Sequence, residues 1–306
     1  MEHNVFHTAV NGLIFLLYLF VVLMIVQSKA KLFKNAFYSL FVATGVADIA
    51  SLLSGCSLRL IRELNLGEES KDLALVSLII TCTAFIAHLI GNMLITINRY
   101  SALCLMNRYD LIWTRKNVWI AVIIQYVISI AVFAHVLGAN VNYIHNADGT
   151  VAMSGWREKQ TDLIVRFTSI GACIIYATVS LSLNVKLLIE WKLLSKSDGG
   201  SRRKHHDKGL LLYALLVFIC TMLVSLQQVI KAVAIFTGNT SLNLWISLQY
   251  IWMNEFMVSM PPISLLLLSS DFRQEILNLF RCSKHRSTSL FVTSPSTRKS
   301  VVDNRH

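Results

Sequence analysis

Proline is nearly missing from this chain: three in 306 residues, at positions 261, 262 and 295. Charged residues make up only 15% and mean hydropathy is +0.57, a balance that excludes the polar surface of a soluble domain. The six cysteines, at 56, 82, 104, 173, 220 and 282, form no CxxC pair. Neither a disulfide framework nor a zinc site is indicated, and the cysteines read as small packing residues. There is no GxSxG, no HExxH and no trio of intramembrane histidines with carboxylates, so no catalytic residue, metal or cofactor is expected. The last apolar block holds no lysine, which removes a retinal Schiff base and with it light sensing. The formal charge of +11 is dispersed in short stretches instead of one patch, and nucleic acid is not the expected partner.

What is there is a series of long apolar blocks. A helix needs roughly 20 residues to cross about 30 Å of hydrocarbon, and seven blocks qualify: residues 8–28, 36–58, 73–97, 117–138, 163–189, 209–235 and 244–268. The expected fold class is therefore an all-α, seven-transmembrane helix bundle in a lipid bilayer. Lysine and arginine divide unevenly between its two sides. The connections 29–34, 99–116, 191–208 and 270–306 hold 20 of them, and those on the opposite side hold 5. Positive charge marks the cytoplasm, so the amino terminus is expected outside and the carboxyl terminus inside. Residues 1–7 lack lysine and arginine, and the run Thr8 to Val26 exceeds a signal-peptide core, so the first block is expected to be a retained span.

No internal repeat is visible, and one receptor-like domain over 1–282 is the simplest division. Its end, Ser269 to Cys282, carries Phe272, Ile276, Leu279 and Phe280 on one face, with Ser270 or Asp271 placed to cap the start. An amphipathic helix on the inner leaflet is expected, with Cys282 a candidate for palmitoylation. Residues 283–306 are basic and rich in serine and threonine, and are expected to form a disordered cytoplasmic tail with candidate phosphorylation sites at Ser287, Thr288, Ser289, Ser294 and Ser296.

Polar groups in hydrocarbon are costly, which makes them informative. In span two, Thr44, Asp48, Ser51 and Gly55 follow helical spacing along one stripe. Asp48 is either a hydrogen-bonded packing residue or a conformational switch; the latter is favoured. In span three, Thr81, His88, Asn92, Thr96 and Arg99 line one face down the whole helix. Thr81 and Thr96 read as hydrogen bonds to neighbouring helices. Arg99, in Asn98-Arg99-Tyr100, either snorkels or holds carbonyls of another helix or a partner's terminus. In span seven, Glu255 lies near mid-membrane, and Pro261-Pro262 removes two backbone donors, so a kink or hinge is expected there. Arg166, Lys231 and His135 sit in the outer thirds of spans five, six and four, where a polar ligand would enter. The plain alternatives are an Arg166–Asp162 pair one turn apart and a snorkelling Lys231. Arg202-Arg203-Lys204-His205-His206 is a cationic loop suited to anionic lipid or a protein partner. Asn239-Thr240-Ser241 is an N-glycosylation sequon in the expected outer loop.

Phe37-Tyr38-Ser39-Leu40-Phe41 with Val46-Ala47-Asp48-Ile49, then Thr96-Ile97-Asn98-Arg99-Tyr100, then Pro261-Pro262 followed by Ser269-Ser270-Asp271-Phe272-Arg273, resemble in order and spacing a G-protein-coupled receptor. The resemblance is closer to the nematode chemosensory receptors of the serpentine receptor class gamma superfamily, class gamma or class V. It implies sensory perception of a small molecule and signal transduction through a heterotrimeric G protein, at the plasma membrane and in the cilia of sensory neurons. Asn98 departs from the acidic residue that precedes this arginine in rhodopsin-like receptors. Asn-Pro-x-x-Tyr is absent from span seven, and the loop 139–162 has no cysteine to bridge to span three.

The reading is a chemosensory receptor, not an enzyme. Its ligand-binding residues would be His88, Asn92, Arg166, Lys231 and Glu255, and its conformational switch Asp48, Arg99, Pro261 and Pro262. Its G-protein contacts would be Arg99, Tyr100, Arg202, Arg203 and Lys204. A homo- or heterodimer stays open. The rival readings are a transporter or channel with an ion path over Asp48, Asn92 and Glu255, and a ligandless scaffold or trafficking protein of the same fold.

Overall fold

The computed structural model describes residues 2–28, 31–64, 66–145, 151–197, 201–270 and 272–278. Seven long helices appear, one per apolar block: α1 Glu2–Gln27, α2 Ala36–Glu63, α3 Lys71–Cys104, α4 Arg115–Val132, α5 Lys159–Ser197, α6 Ser201–Phe236 and α7 Thr240–Leu268. Six of them are long and apolar enough over their described residues to cross a membrane. With α7 they make the expected bundle, in which α2 packs along α3, α3 along α5, and α6 between α5 and α7. Large apolar residues such as Leu13, Trp119, Ile123, Ile130, Ile175 and Phe236 point outward, as lipid-facing surfaces do.

The helices outrun their apolar blocks. α2 continues to Glu63 and carries Arg59 inward, α3 continues to Cys104, and α6 begins at Ser201. Residues 202–206 are therefore helical and not a loop: the segment contains no glycine or proline to break the helix once Gly200 is passed. α4, by contrast, stops at Val132, short of 138. A single tight turn over Ala134–Val136 follows, turning Phe133 and Val136 inward and leaving His135 exposed, its Nδ1 3.1 Å from the Val132 carbonyl.

Among the described residues, one element lies outside the helical pattern. Two strands, β1 Val141–His145 and β2 Val151–Trp156, pair antiparallel across the connection between α4 and α5, with an irregular step between Asn142 and Tyr143. The β-branched and aromatic residues Val141, Tyr143 and Ile144 and the Asp148-Gly149 dipeptide are hairpin signals. A clamp closes its base: Arg157 N donates to the Asn140 carbonyl at 2.8 Å, and Asn140 donates to the Glu158 carboxylate at 3.2 and 3.3 Å. Those bonds from Asn140 hold the exposed Glu158 carboxyl below its ordinary value.

At the other end of the bundle, residues 272–278 are helical. The cap is Ser269, one position before the expected Ser270 or Asp271: its hydroxyl accepts from the Phe272 N–H at 3.2 Å. Arg273 turns back to donate to the Leu267 carbonyl at the end of α7. Phe272 is fully buried against Phe33, ring centres 5.7 Å apart, and Ile276 packs on the same core. Leu279, Phe280, Cys282 and the tail lie outside the described residues.

Candidate functional site

The two polar stripes meet at the centre of the bundle. Asp48 is 0% exposed. Its Oδ1 lies 2.7 Å from His88 Nδ1, and its Oδ2 accepts from the Tyr18 hydroxyl at 2.6 Å. Asn92 Nδ2 donates to the His88 carbonyl at 3.0 Å and faces His88 Nε2 at 2.9 Å. One arrangement satisfies every atom: the Asn92 amide gives one proton to the carbonyl and one to Nε2, leaving Nδ1–H to donate to Asp48. Three helices, α1, α2 and α3, are thus joined through a single carboxylate.

Helical spacing explains the rest of the stripe. Four residues below Asn92, Thr96 returns its hydroxyl to the Asn92 carbonyl at 2.8 Å, a bond within its own helix. Toward the amino-terminal face, Ser54 and Thr81 hydroxyls meet at 2.9 Å and tie α2 to α3, as expected of Thr81. Ser51 accepts from Asn254 of α7 at 3.2 Å. Gly91 permits the closest approach: a Cβ there would meet Thr44 of α2 and would lie 2.7 Å from Gln125 Nε2 of α4. Gln125 in turn donates to the Ala87 carbonyl at 2.9 Å, and Tyr126 to the Ala43 carbonyl at 2.6 Å.

Glu255 is placed apart from this centre in its bonding. Its Oε1 forms a buried ion pair with Arg59 of α2 and accepts from Asn11 of α1 at 2.7 Å. The carboxylate therefore clamps α7 to α1 and α2. Below it, α7 runs on as helix through Pro261 and Pro262, with Ser259 donating to the Phe256 carbonyl at 2.8 Å.

Arg166 and Lys231 do come together. Arg166 Nη1 donates to Gln228 at 3.1 Å, and Nη2 lies 3.4 Å from Asp162, so the expected pair exists and has a third member. Lys231, one turn from Gln228, is 8% exposed and lies within electrostatic reach of Arg166 and Asp162.

At the far end of α3, the Arg99 guanidinium sits over the Phe37 ring, 3.6 Å from its centre. Asn98 donates to the Tyr109 hydroxyl at 3.1 Å, while Trp113 donates to Ser101 at 2.5 Å, and together they fold the α3–α4 turn against α3. Phe37 also meets Tyr213 of α6 edge-on at 6.0 Å and Phe41 at 6.3 Å, and Phe41 meets Tyr18 at 6.2 Å. A buried path of rings thus runs from the Asp48 carboxylate to Arg99. Tyr100 is half-buried beside it, and Arg202, Arg203 and Lys204 occupy the start of α6.

Several members of these networks were not singled out from the sequence. Arg59 stands one residue beyond the block 36–58 and falls among the outer connections. Tyr18 and Asn11 stood in a block that reads as plain lipid-facing helix. Gln125 and Gln228 carried the same signal as Asp48, a polar side chain well inside an apolar run.

No curated protein matches this sequence. The seven-helix bundle agrees with a membrane receptor role, and a family model agrees over nearly the whole bundle, resolving the two branches of the resemblance in favour of class V. Matched by that model over residues 8–282, the chain belongs to the family described as serpentine type 7TM GPCR chemoreceptor Srv, a family of multi-pass membrane receptors.

Proposed function

We propose that this protein is a plasma-membrane chemoreceptor whose small ligand binds between the outer halves of α3, α5, α6 and α7 and whose opposite face engages a heterotrimeric G protein. The observation that carries the proposal is the buried path Asp48–Tyr18–Phe41–Phe37–Arg99, which gives a change at the bundle centre a packed route to the guanidinium. A ligand with different affinity for two packings shifts their populations, and interlocked rings transmit such a shift because packed interiors switch between discrete arrangements. Arg99, Tyr100 and the basic start of α6 then meet the G protein. In this arrangement the amino terminus is outside, residues 1–282 form the receptor domain, and 283–306 form a cytoplasmic tail beginning beside a palmitoylated Cys282.

Orientation is tested at Asn239, whose side-chain oxygen accepts from the Leu242 N–H at 3.0 Å and leaves the amide nitrogen for a glycan. Treatment with an endoglycosidase shifts the wild type and not Asn239→Gln on a gel; a glycan appearing only on sites engineered into the α3–α4 turn reverses the topology. Coupling is tested by recruitment of engineered minimal Gα subunits in cells exposed to pools of volatile and water-soluble compounds. Ligand-dependent recruitment that Arg99→Ala abolishes at equal surface expression supports the reading. Signalling that survives Arg99→Ala removes Arg99 from the coupling surface.

A further inference from the structure

On the amino-terminal face, α5 and α6 set two cations, half-buried Arg166 and buried Lys231, against one half-buried acid, Asp162. Arg166 spends Nη1 on Gln228 and Nη2 on Asp162, and its Nε is buried without an acceptor. Lys231 brings up to three donors into the same cluster, 8% exposed, and among the described residues its ammonium has no hydrogen bond or ion pair. Cys82 of α3 lies within electrostatic reach of Arg166, Lys231 and Asp162 and offers no strong acceptor. A buried donor without an acceptor, here Arg166 Nε, and a formal net charge of +1 are each unfavourable in a low-dielectric interior. What the cluster lacks is one compact, singly charged acceptor.

Resting on the ligand-binding reading above, we infer that Arg166 and Lys231 anchor the ligand through a carboxylate, so that the chemoreceptor's natural stimulus is an organic monoanion. Two carboxylate oxygens can accept together from the guanidinium edge at Nε and from the ammonium, the planar fork fixing orientation and the lysine supplying a mobile point charge. A monoanion brings the cluster to neutrality. A phosphate dianion would leave it with excess negative charge, and a neutral amide would leave the excess positive charge in place. The ligand's apolar remainder would extend from this anchor into the bundle.

The test uses the purified full-length protein in lipid nanodiscs and reads its thermal midpoint. The probes are straight-chain carboxylates of graded length, each beside its primary amide, with inorganic phosphate as a further arm. Carboxylates are expected to raise the midpoint, amides of equal length are not, and Lys231→Gln or Arg166→Gln is expected to weaken the effect about tenfold or more, the loss of one hydrogen bond to a charged group. Lys186→Gln, an exposed lysine of α5, is expected to change nothing. A variant that supplies the missing charge internally, Gln228→Glu, is expected to fold and to lose its response to carboxylates. Without ligand, Lys231→Met is expected to be at least as stable as the wild type, because it removes an uncompensated buried charge. Equal shifts by acids and amides, a response to phosphate alone, no shift across the acid series, or a less stable Lys231→Met each overturn the inference. Recruitment of Gα by neutral compounds beside unresponsive carboxylates would leave the receptor reading standing while this one fell. Stabilisation by carboxylates without recruitment would do the reverse.

Discussion

His88 Nδ1 and Asp48 Oδ1 lie 2.7 Å apart with each side chain 1% exposed. The pair joins α2 to α3 in a place where neither group can turn to water. Removing one partner from such a pair costs about 3–5 kcal/mol, far more than replacing it by a group that still hydrogen-bonds. His88→Leu should therefore lower the thermal midpoint of the purified protein much more than Asp48→Asn, whose amide oxygen can still accept from His88 while its NH2 donates to the Tyr18 hydroxyl.

The Arg59–Glu255 clamp gives a cleaner cycle. Glu255→Met leaves a buried guanidinium without its carboxylate, and Arg59→Met leaves a buried carboxylate without its guanidinium. Each single variant should lose surface expression and about 3–5 kcal/mol of stability. The double variant Arg59→Met/Glu255→Met should be more stable than either, as measured by thermal unfolding in detergent.

Gly91→Ala tests the crossing of α2, α3 and α4. The added methyl meets Thr44 and Gln125, and overpacking of this kind costs about 1–3 kcal/mol. Thr44→Ala should restore part of that loss in the double variant, since it removes the nearest atoms but leaves Gln125.

Phe37→Leu removes the ring beneath Arg99 and the edge contact with Tyr213 while keeping an apolar side chain. A cation over an aromatic face is worth about 0.5–2 kcal/mol. Surface expression should hold, and ligand-dependent Gα recruitment should fall by severalfold, measured against the wild type at matched receptor levels.

Phe272→Ala empties a fully buried site at the start of the last helix, a change that costs about 3–5 kcal/mol when the cavity cannot collapse. Here the loss should be local. Amide hydrogen exchange over 272–278 should accelerate while the seven long helices keep their protection.

The number of helices and the polar faces of α2 and α3 were legible because both rest on short-range rules: hydrocarbon thickness fixes length, and helical spacing fixes facing. Asp48, His88 and Asn92 could be placed on facing stripes before any contact was known. The partners from distant helices could not. Asn11 and Glu255 are 244 positions apart, and no local pattern records that they meet. Arg59 was obscured for a related reason. It stands just past the last apolar residue of the block, next to further charged residues, and only its pairing with Glu255 of α7 shows that it turns inward. The hairpin between α4 and α5 had its β-branched and aromatic residues and its Asp-Gly dipeptide in view, yet a count of spans passes over anything shorter than a bilayer.

The missing side chain at position 91 sets how α3 can move. With Thr44 and Gln125 lodged where a Cβ would stand, sliding α3 along its axis would drive its own backbone into both neighbours. Tilting about that level remains open. Arg99 lies eight residues to one side and Cys82 nine to the other, so the two arms of this lever are each about 12–14 Å long at 1.5 Å per residue. A displacement of α3 beside Arg166 and Lys231 would therefore reappear at Arg99 with nearly the same amplitude and the opposite direction. In such a tilt the glycine would be the fulcrum, with a gain close to one.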